Sequence, residues 1–450
     1  MYAIRLFDQT PDLLHERFLQ TDFGKLYQTI PFKALAGEVP RPTGALSGKG
    51  CKSWLSVEGG IALLIAKHYL QLSDSMLVER LNTDWSLQMF CGIQLRPHEV
   101  IKDADLPGRW RRFIGSHLNI DKWQLQLAAA WAPQMKDKQV VLVDATCYES
   151  YIAYPTDAKL IWKSCTDVWN CINGLRKKAG LRRSRAEMYI KKKKYYLSIA
   201  KRRKTSRRQN KKLCKTLLKF LDRLMKELNS LMDTHGKLHL SNHQIGRLNT
   251  IEKVKAQQWS IYFGNAAKVP HRIVSLHKPY VRPIVRGKET KPVEFGAKVN
   301  KLQVDGISFI EHISFEAFNE GTRLQDSIAM QERYFGKCHQ AGADGIYATN
   351  ANRRFCTTGK IATNFVPKGR ASANEANNGQ QAKMRSLLAN ERSTRLEGSF
   401  GNEKNHYLLN KVKAGTLQTE IAWIFFGMLC SNAVLLTKRR CRSKSTKKAA

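Results

Sequence analysis

The chain predicts a mixed α/β fold, and three observations carry that prediction. The stretch QVVLVDATCYESYIAYPTD, residues 139–157, drives Val140, Val141, Leu142 and Val143 into a core strand that meets a carboxylate at Asp144. KPVEFGAKVNKLQVDGISFIEHISF, residues 291–315, reads as two strands about Asp305-Gly306, a dipeptide suited to a two-residue hairpin turn. Around both lie long segments whose apolar residues recur at helical spacing.

Taken in order, residues 31–53 are rich in Gly, Pro and Ser and predict a loop. Residues 57–93 predict packed helices. Ser73 and Asp74 suit an N-cap before Met76, Leu77 and Leu81, and Asp84 suits the cap of a helix carrying Leu87, Phe90 and Cys91. The helical pattern continues from Leu106 to Trp131, so 1–136 is expected to form an N-terminal all-α, DNA-binding domain. The strand of 139–146 follows.

Residues 176–215 hold 19 Lys or Arg and a single acid, Glu187. Beyond them Leu217, Leu221, Leu224, Leu228 and Leu231 share one helical face. A long basic helix over 185–233 is expected, within a basic helical insertion over 166–265. Its cations Lys191, Lys192, Lys193, Lys194, Arg202, Arg203 and Lys204, with Tyr189, Tyr195 and Tyr196 among them, predict contact with a phosphate backbone. His235, His239 and His243 recur every four residues, but Gly236 and Ser241 interrupt the helix and no metal site is expected there.

After the hairpin a helix is expected over 316–336, then the segment AGADGIYATNANRRFC, then a helix over 390–412. IAWIFFGMLCSNAVLL, 421–436, falls short of the ~20 residues of a membrane span and contains Ser431 and Asn432, so a buried core helix is expected. The tail over 438–450 is basic and expected to be disordered.

Seventy-six Lys and Arg against 37 Asp and Glu leave a net charge of +39. That excess implies a polyanionic partner, nucleic acid before membrane. Ten scattered cysteines without a CxxC pair argue against a zinc ribbon or a disulfide framework and favour reduced thiols in the cytoplasm. The opening residues, MYAIRLFDQTPDLL, lack an apolar signal core.

Asp144, Asp344 and Glu397 fall at matching points of this order: strand, helical insert, hairpin, helix, short strand, helix. Such a set suits two-metal phosphoryl chemistry, because hard divalent cations prefer carboxylate oxygens. Without a cation, two carboxylates 4 Å apart repel by roughly 4 kcal/mol near a protein surface.

The segments VLVDATCYESYIAYPTDAKL, VRPIVRGKETKPVEFGAKV, ADGIYATNANRRFC and RLEGSFGNEKNHYLL resemble bacterial insertion-sequence transposases of the DDE superfamily, of the IS-five-like kind, over most of 57–437. The resemblance implies an RNase H-like catalytic domain over 137–165 and 266–437. It implies cutting and joining of DNA at terminal inverted repeats with Mg²⁺ or Mn²⁺, two ions in all. A homodimer in the active complex, a bacterial nucleoid-associated location and no membrane partner are expected with it. By motif, Asp144, Asp344 and Glu397 are the catalytic, metal-binding acids. Lys404, two helical turns past Glu397, is a DNA contact near the cleavage site. Arg392 and Arg395 are approximate matches for an arginine preceding the glutamate. KCHQAGA, before Asp344, is less apolar than a central strand should be. Asp157 is expected to cap a helix near Ala158, and Glu403 to point away from Glu397. A metal-dependent nuclease without strand transfer and a non-catalytic basic nucleic-acid-binding protein are the rival functions.

Overall fold

A computed structural model describes residues 11–40, 42, 53–235, 240–285, 292–368 and 375–449. The chain divides into two compact units, one of Met1–Ser150, Ala297–Ser314 and Phe318–Ala450, the other of Tyr151–Gly296 and Phe315–Ala317.

The first unit begins with eight helices: α1 Pro11–Gln20, α2 Asp22–Tyr27, α3 Phe32–Gly37, α4 Val57–Leu70, α5 Asp74–Thr83, α6 Trp85–Phe90, α7 Leu106–His117 and α8 Ile120–Trp131. The expected caps form: Ser73 Oγ accepts from Met76 N at 3.2 Å, and Asp84 Oδ1 accepts from Ser86 N at 3.0 Å. Helix α3 lies inside the segment expected to be a loop; residues 41 and 43–52 of that segment fall outside the described residues. The N-terminal helices do not close on themselves. Residues Gly59 to His68 of α4 are all buried, and a helix without a polar face needs cover on every side. Part of that cover is α17, Leu417–Ala449, so the helices of 1–136 share one unit with most of the sheet instead of forming a domain apart.

The sheet is mixed, with seven strands: β1 Val140–Ser150, β2 Pro283–Val285, β3 Val293–Val304, β4 Ile307–Ser314, β5 Gln340–Ala343, β6 Ala362–Thr363 and β7 Lys411–Val412. β3 and β4 form the expected hairpin, with Val304 opposite Ile307 and both turn residues at positive φ. β3 neighbours β1; β1 pairs parallel with β5, and β5 with β6. β5 is only four residues long. At Gly342 the missing side chain leaves room for Leu142, whose Cδ2 a Cβ there would meet at 2.8 Å.

The remaining helices of the first unit are α13 Leu324–Phe335, α14 Asn350–Thr358, α15 Glu375–Glu391 and α16 Glu397–His406, ahead of α17. By length and composition Leu417–Ser443 could cross a membrane, but 78% of its most apolar window is buried inside the protein. Asn432 explains itself here: it exchanges hydrogen bonds with the Ser308 backbone of β4 at 2.8 and 3.0 Å. The tail expected to be disordered continues α17 to Ala449. Neither Gly nor Pro follows Gly427 to stop it, and Arg439 donates to the Asp305 carboxylate and carbonyl at 3.0 and 2.8 Å.

The second unit holds α9 Asp157–Lys178, α10 Glu187–Ala200, α11 Arg207–His235 and α12 Asn242–Tyr262. It starts at 151, ahead of the expected insertion boundary at 166, and reaches 296, beyond 265. The single basic helix expected over 185–233 is two helices. Ser206 Oγ accepts from Gln209 N at 3.2 Å, which starts α11 afresh. Leu217, Leu221, Leu224 and Leu228 of α11 are buried in the unit's core. The tyrosines expected beside DNA turn inward: Tyr189 stacks on Trp169 and Tyr196 on Trp162. Asp157 is not the cap of α9; Thr156 is, and the Asp157 carboxylate instead takes Tyr262, Gln258 and Arg272. Of the three histidines, His239 lies outside the described residues.

Candidate active site

Asp144 follows the buried run Val141, Leu142 and Val143, but it does not end its strand. β1 continues to Ser150. Its partner β5 accompanies it only as far as Val143, and β7 only from Glu149. The acid therefore sits where this ladder is interrupted. Val143 pairs with Ala343, so Asp344 stands at the same level as Asp144, one position beyond the end of the neighbouring strand. Asp344 is exposed and accepts from Gly345 N at 2.7 Å, capping a short 3-10 turn.

Glu397 arrives from a different direction. Residues Arg392–Leu396 form one turn of π-helix between α15 and α16. A π turn adds a residue to each hydrogen-bonded ring, so the residue five positions before Glu397 takes the place that an α-helix gives to position four. That residue is Arg392. Its Nη1 lies 2.8 Å from Asp144 Oδ2 and 2.9 Å from Glu397 Oε1. Arg395, the other sequence candidate, pairs instead with Glu391 at 2.7 Å on an exposed face. The π turn thus brings Arg392, and not Arg395, to the side of the helix that carries Glu397.

Asp144, Thr146 and Tyr148 share one face of β1, and the α15–α16 segment lies along it. Arg392 meets Asp144. Lys404 Nζ donates to Thr146 Oγ1 at 3.0 Å, and the buried Glu403 accepts from the Tyr148 hydroxyl. Glu403 also pairs with Lys301 Nζ of β3 at 2.8 Å, with neither side chain more than 1% exposed. Glu403 does point away from Glu397, into the core. Sequence reasoning passed over Thr146, Tyr148 and Lys301, and it gave Glu403 no partner. The available signal, for Lys301, was NKLQ, which sets three polar residues in a strand buried on both faces. Polar groups there need partners. Tyr347 has one of these, donating to Asn300 Oδ1 at 2.5 Å.

Lys404 is thus held against β1, and Lys191, Lys193, Lys194 and Arg202 to Lys204 are exposed on α10 and the turn after it. Among the described residues, no group of three or more His, Cys, Asp or Glu side chains is placed to hold one metal ion. The Arg392 guanidinium lies between Asp144 and Glu397, and Asp344 stands beside them.

Burial pushes the Asp144 carboxyl up to about 6, with the Asp344 and Glu320 charges adding to the shift; the Ala145 amide and Arg392 oppose it. An unfolded aspartate titrates at about 3.9. Between these values the folded chain binds more protons than the unfolded one, so stability falls as pH rises through that window, by roughly 3 kcal/mol at most. Asp144→Asn should relieve this loss: its Tm should exceed the wild-type Tm above about pH 6 and match it near about pH 4. A Tm difference that is the same at both pH values would show that the carboxylate is not strained.

No family model matches the chain, and no solved structure matches it. A protein of Rhizobium meliloti described as uncharacterized protein ORF8 in the nfe locus is 32% identical over 109 residues, covering 23% of this chain. The chain spans about half, 53%, of that protein's length.

Proposed function

We propose that the chain is a DNA transposase of the DDE superfamily with an RNase H-like catalytic domain. It cuts the ends of its own element and joins them to target DNA. The observation that carries this reading is the convergence of Asp144 and Glu397 on one cationic nitrogen, with Asp344 level with Asp144 beyond the neighbouring parallel strand. The sheet supports it as well: an antiparallel hairpin lies on one side of β1 and two parallel strands on the other.

The donor set suits a hard divalent cation, being carboxylate oxygen without thiol or imidazole. Asp144, Asp344 and Glu397 would hold Mg²⁺ or Mn²⁺, two ions in all. When bound, these supply positive charge at the scissile phosphate and an activated oxygen nucleophile. The chain's own cations have separate tasks. Arg392 offsets the repulsion between Asp144 and Glu397 and is free to turn to a phosphate when that repulsion is relieved. Lys404, anchored on Thr146, orients the DNA strand beside Glu397. The net charge of +39 supplies affinity for DNA that does not depend on its sequence. A homodimer acting in the bacterial cytoplasm, at the nucleoid, completes the proposal.

The test uses the purified chain, Mg²⁺, duplexes carrying the DNA that flanks its gene, and a plasmid target. Cutting at both ends with joined products is expected. Cutting without joining would leave a metal-dependent nuclease, and binding without cutting a non-catalytic DNA-binding protein.

A further inference from the structure

We infer that the outer face of α11 is a docking surface for the phosphate backbone of duplex DNA, and that this row, not the Lys191–Lys194 run, dominates the second unit's contact with it. Arg208, Lys212, Lys215 and Lys219 stand at i, i+4, i+7 and i+11, a spacing that aligns them along one side of a helix. Their side lies opposite the buried Leu217, Leu221, Leu224 and Leu228. With Lys211 and Phe263 they line a groove of about 420 Å³. Lys215 Nζ lies 5.0 Å over the Phe263 ring, whose orientation is set by stacking on Trp259 at 4.4 Å.

Several other cations of this unit have acid partners. Lys255 and Lys226 share Asp222, Arg176 takes Glu227, and Arg272 takes Asp157. Among the described residues, no carboxylate lines the α11 groove. The row runs about 16 Å at 1.5 Å per residue. One DNA strand offers a phosphate about every 3.4 Å of axis, so the row faces about five of them. Lys191 to Lys194 are consecutive, and at about 100° per residue they point in four directions. A membrane surface suits the row less well, because the apolar face that α11 would insert is already in the core.

The inference rests on the proposed function only for the choice of DNA as the polyanion. Its test measures fluorescence anisotropy of the full chain on a duplex of arbitrary sequence across a salt series. Lys212→Gln/Lys215→Gln/Lys219→Gln should flatten the slope of log K against log salt by about 2.7, at about 0.9 per lost phosphate contact. Lys191→Gln/Lys193→Gln/Lys194→Gln removes the same charge and should flatten it by less than half as much. Circular dichroism should show both variants folded, since most of the altered side chains are exposed. An unchanged slope for the first variant, or equal losses from both, overturns the inference. Loss of binding to phosphatidylglycerol vesicles with the DNA slope intact also overturns it, in favour of a lipid surface. A chain that binds through this row yet cuts nothing would sink the transposase reading and leave the groove standing.

Discussion

Alanine in place of Asp144, Asp344 or Glu397 should each abolish divalent-metal-dependent cutting of element-end DNA, by roughly four orders of magnitude or more, the scale on which single members of a catalytic group fail. The losses should not add, because a site missing one acid is already disabled. DNA binding should persist or tighten, since an acid facing a polyanion has been removed. Glu391→Ala is the control: Glu391 pairs with Arg395 on an exposed face and should keep most activity. Normal cutting by Asp344→Ala would show that the second acid lies elsewhere. Normal cutting by all three variants would remove the basis for assigning phosphoryl transfer to this site. Arg392→Ala distinguishes the acids from their counter-cation. It leaves Asp144 and Glu397 in mutual repulsion, so added Mg²⁺ should raise its Tm more than it raises that of the wild type.

The second large effect belongs to Lys301 and Glu403. A fully buried ion pair is costly to desolvate, and removing one partner strands the other as an unpaired charge. Burial pushes the Lys301 ammonium down from its usual range, with the Glu403 charge opposing that shift. Lys301→Met or Glu403→Leu alone should cost about 3–5 kcal/mol in denaturant unfolding. The double variant, which buries two apolar side chains, should recover most of that stability. It should not recover cutting. Glu403 ties α16 to Lys301 and Tyr148 and so sets where Glu397 and Lys404 meet β1. A double variant that cuts at the wild-type rate would show the pair to be dispensable for that positioning. Single variants as stable as the wild type would show that the pair is not buried in solution.

What the sequence by itself determined is local. The apolar run before Asp144, the Asp305-Gly306 turn, the caps at Ser73 and Asp84 and the leucine face of α11 all follow from interactions within a few residues. They were legible because period, turn chemistry and capping act at that range. The three acids could be named for the same reason, each marked by its own flanking segment. What only the tertiary structure decided involves residues far apart in the chain. Asp144 falls in a gap between partners of its strand because β5 stops at Ala343 and β7 starts only opposite Glu149, a difference that β1 itself does not encode. Arg392 was preferred over Arg395 by a π turn, where one extra residue rotates the chain against its neighbours. Lys301 and Glu403, 102 residues apart, are each an ordinary polar residue by pattern. Only burial makes them a pair, because an isolated charge does not remain in the core.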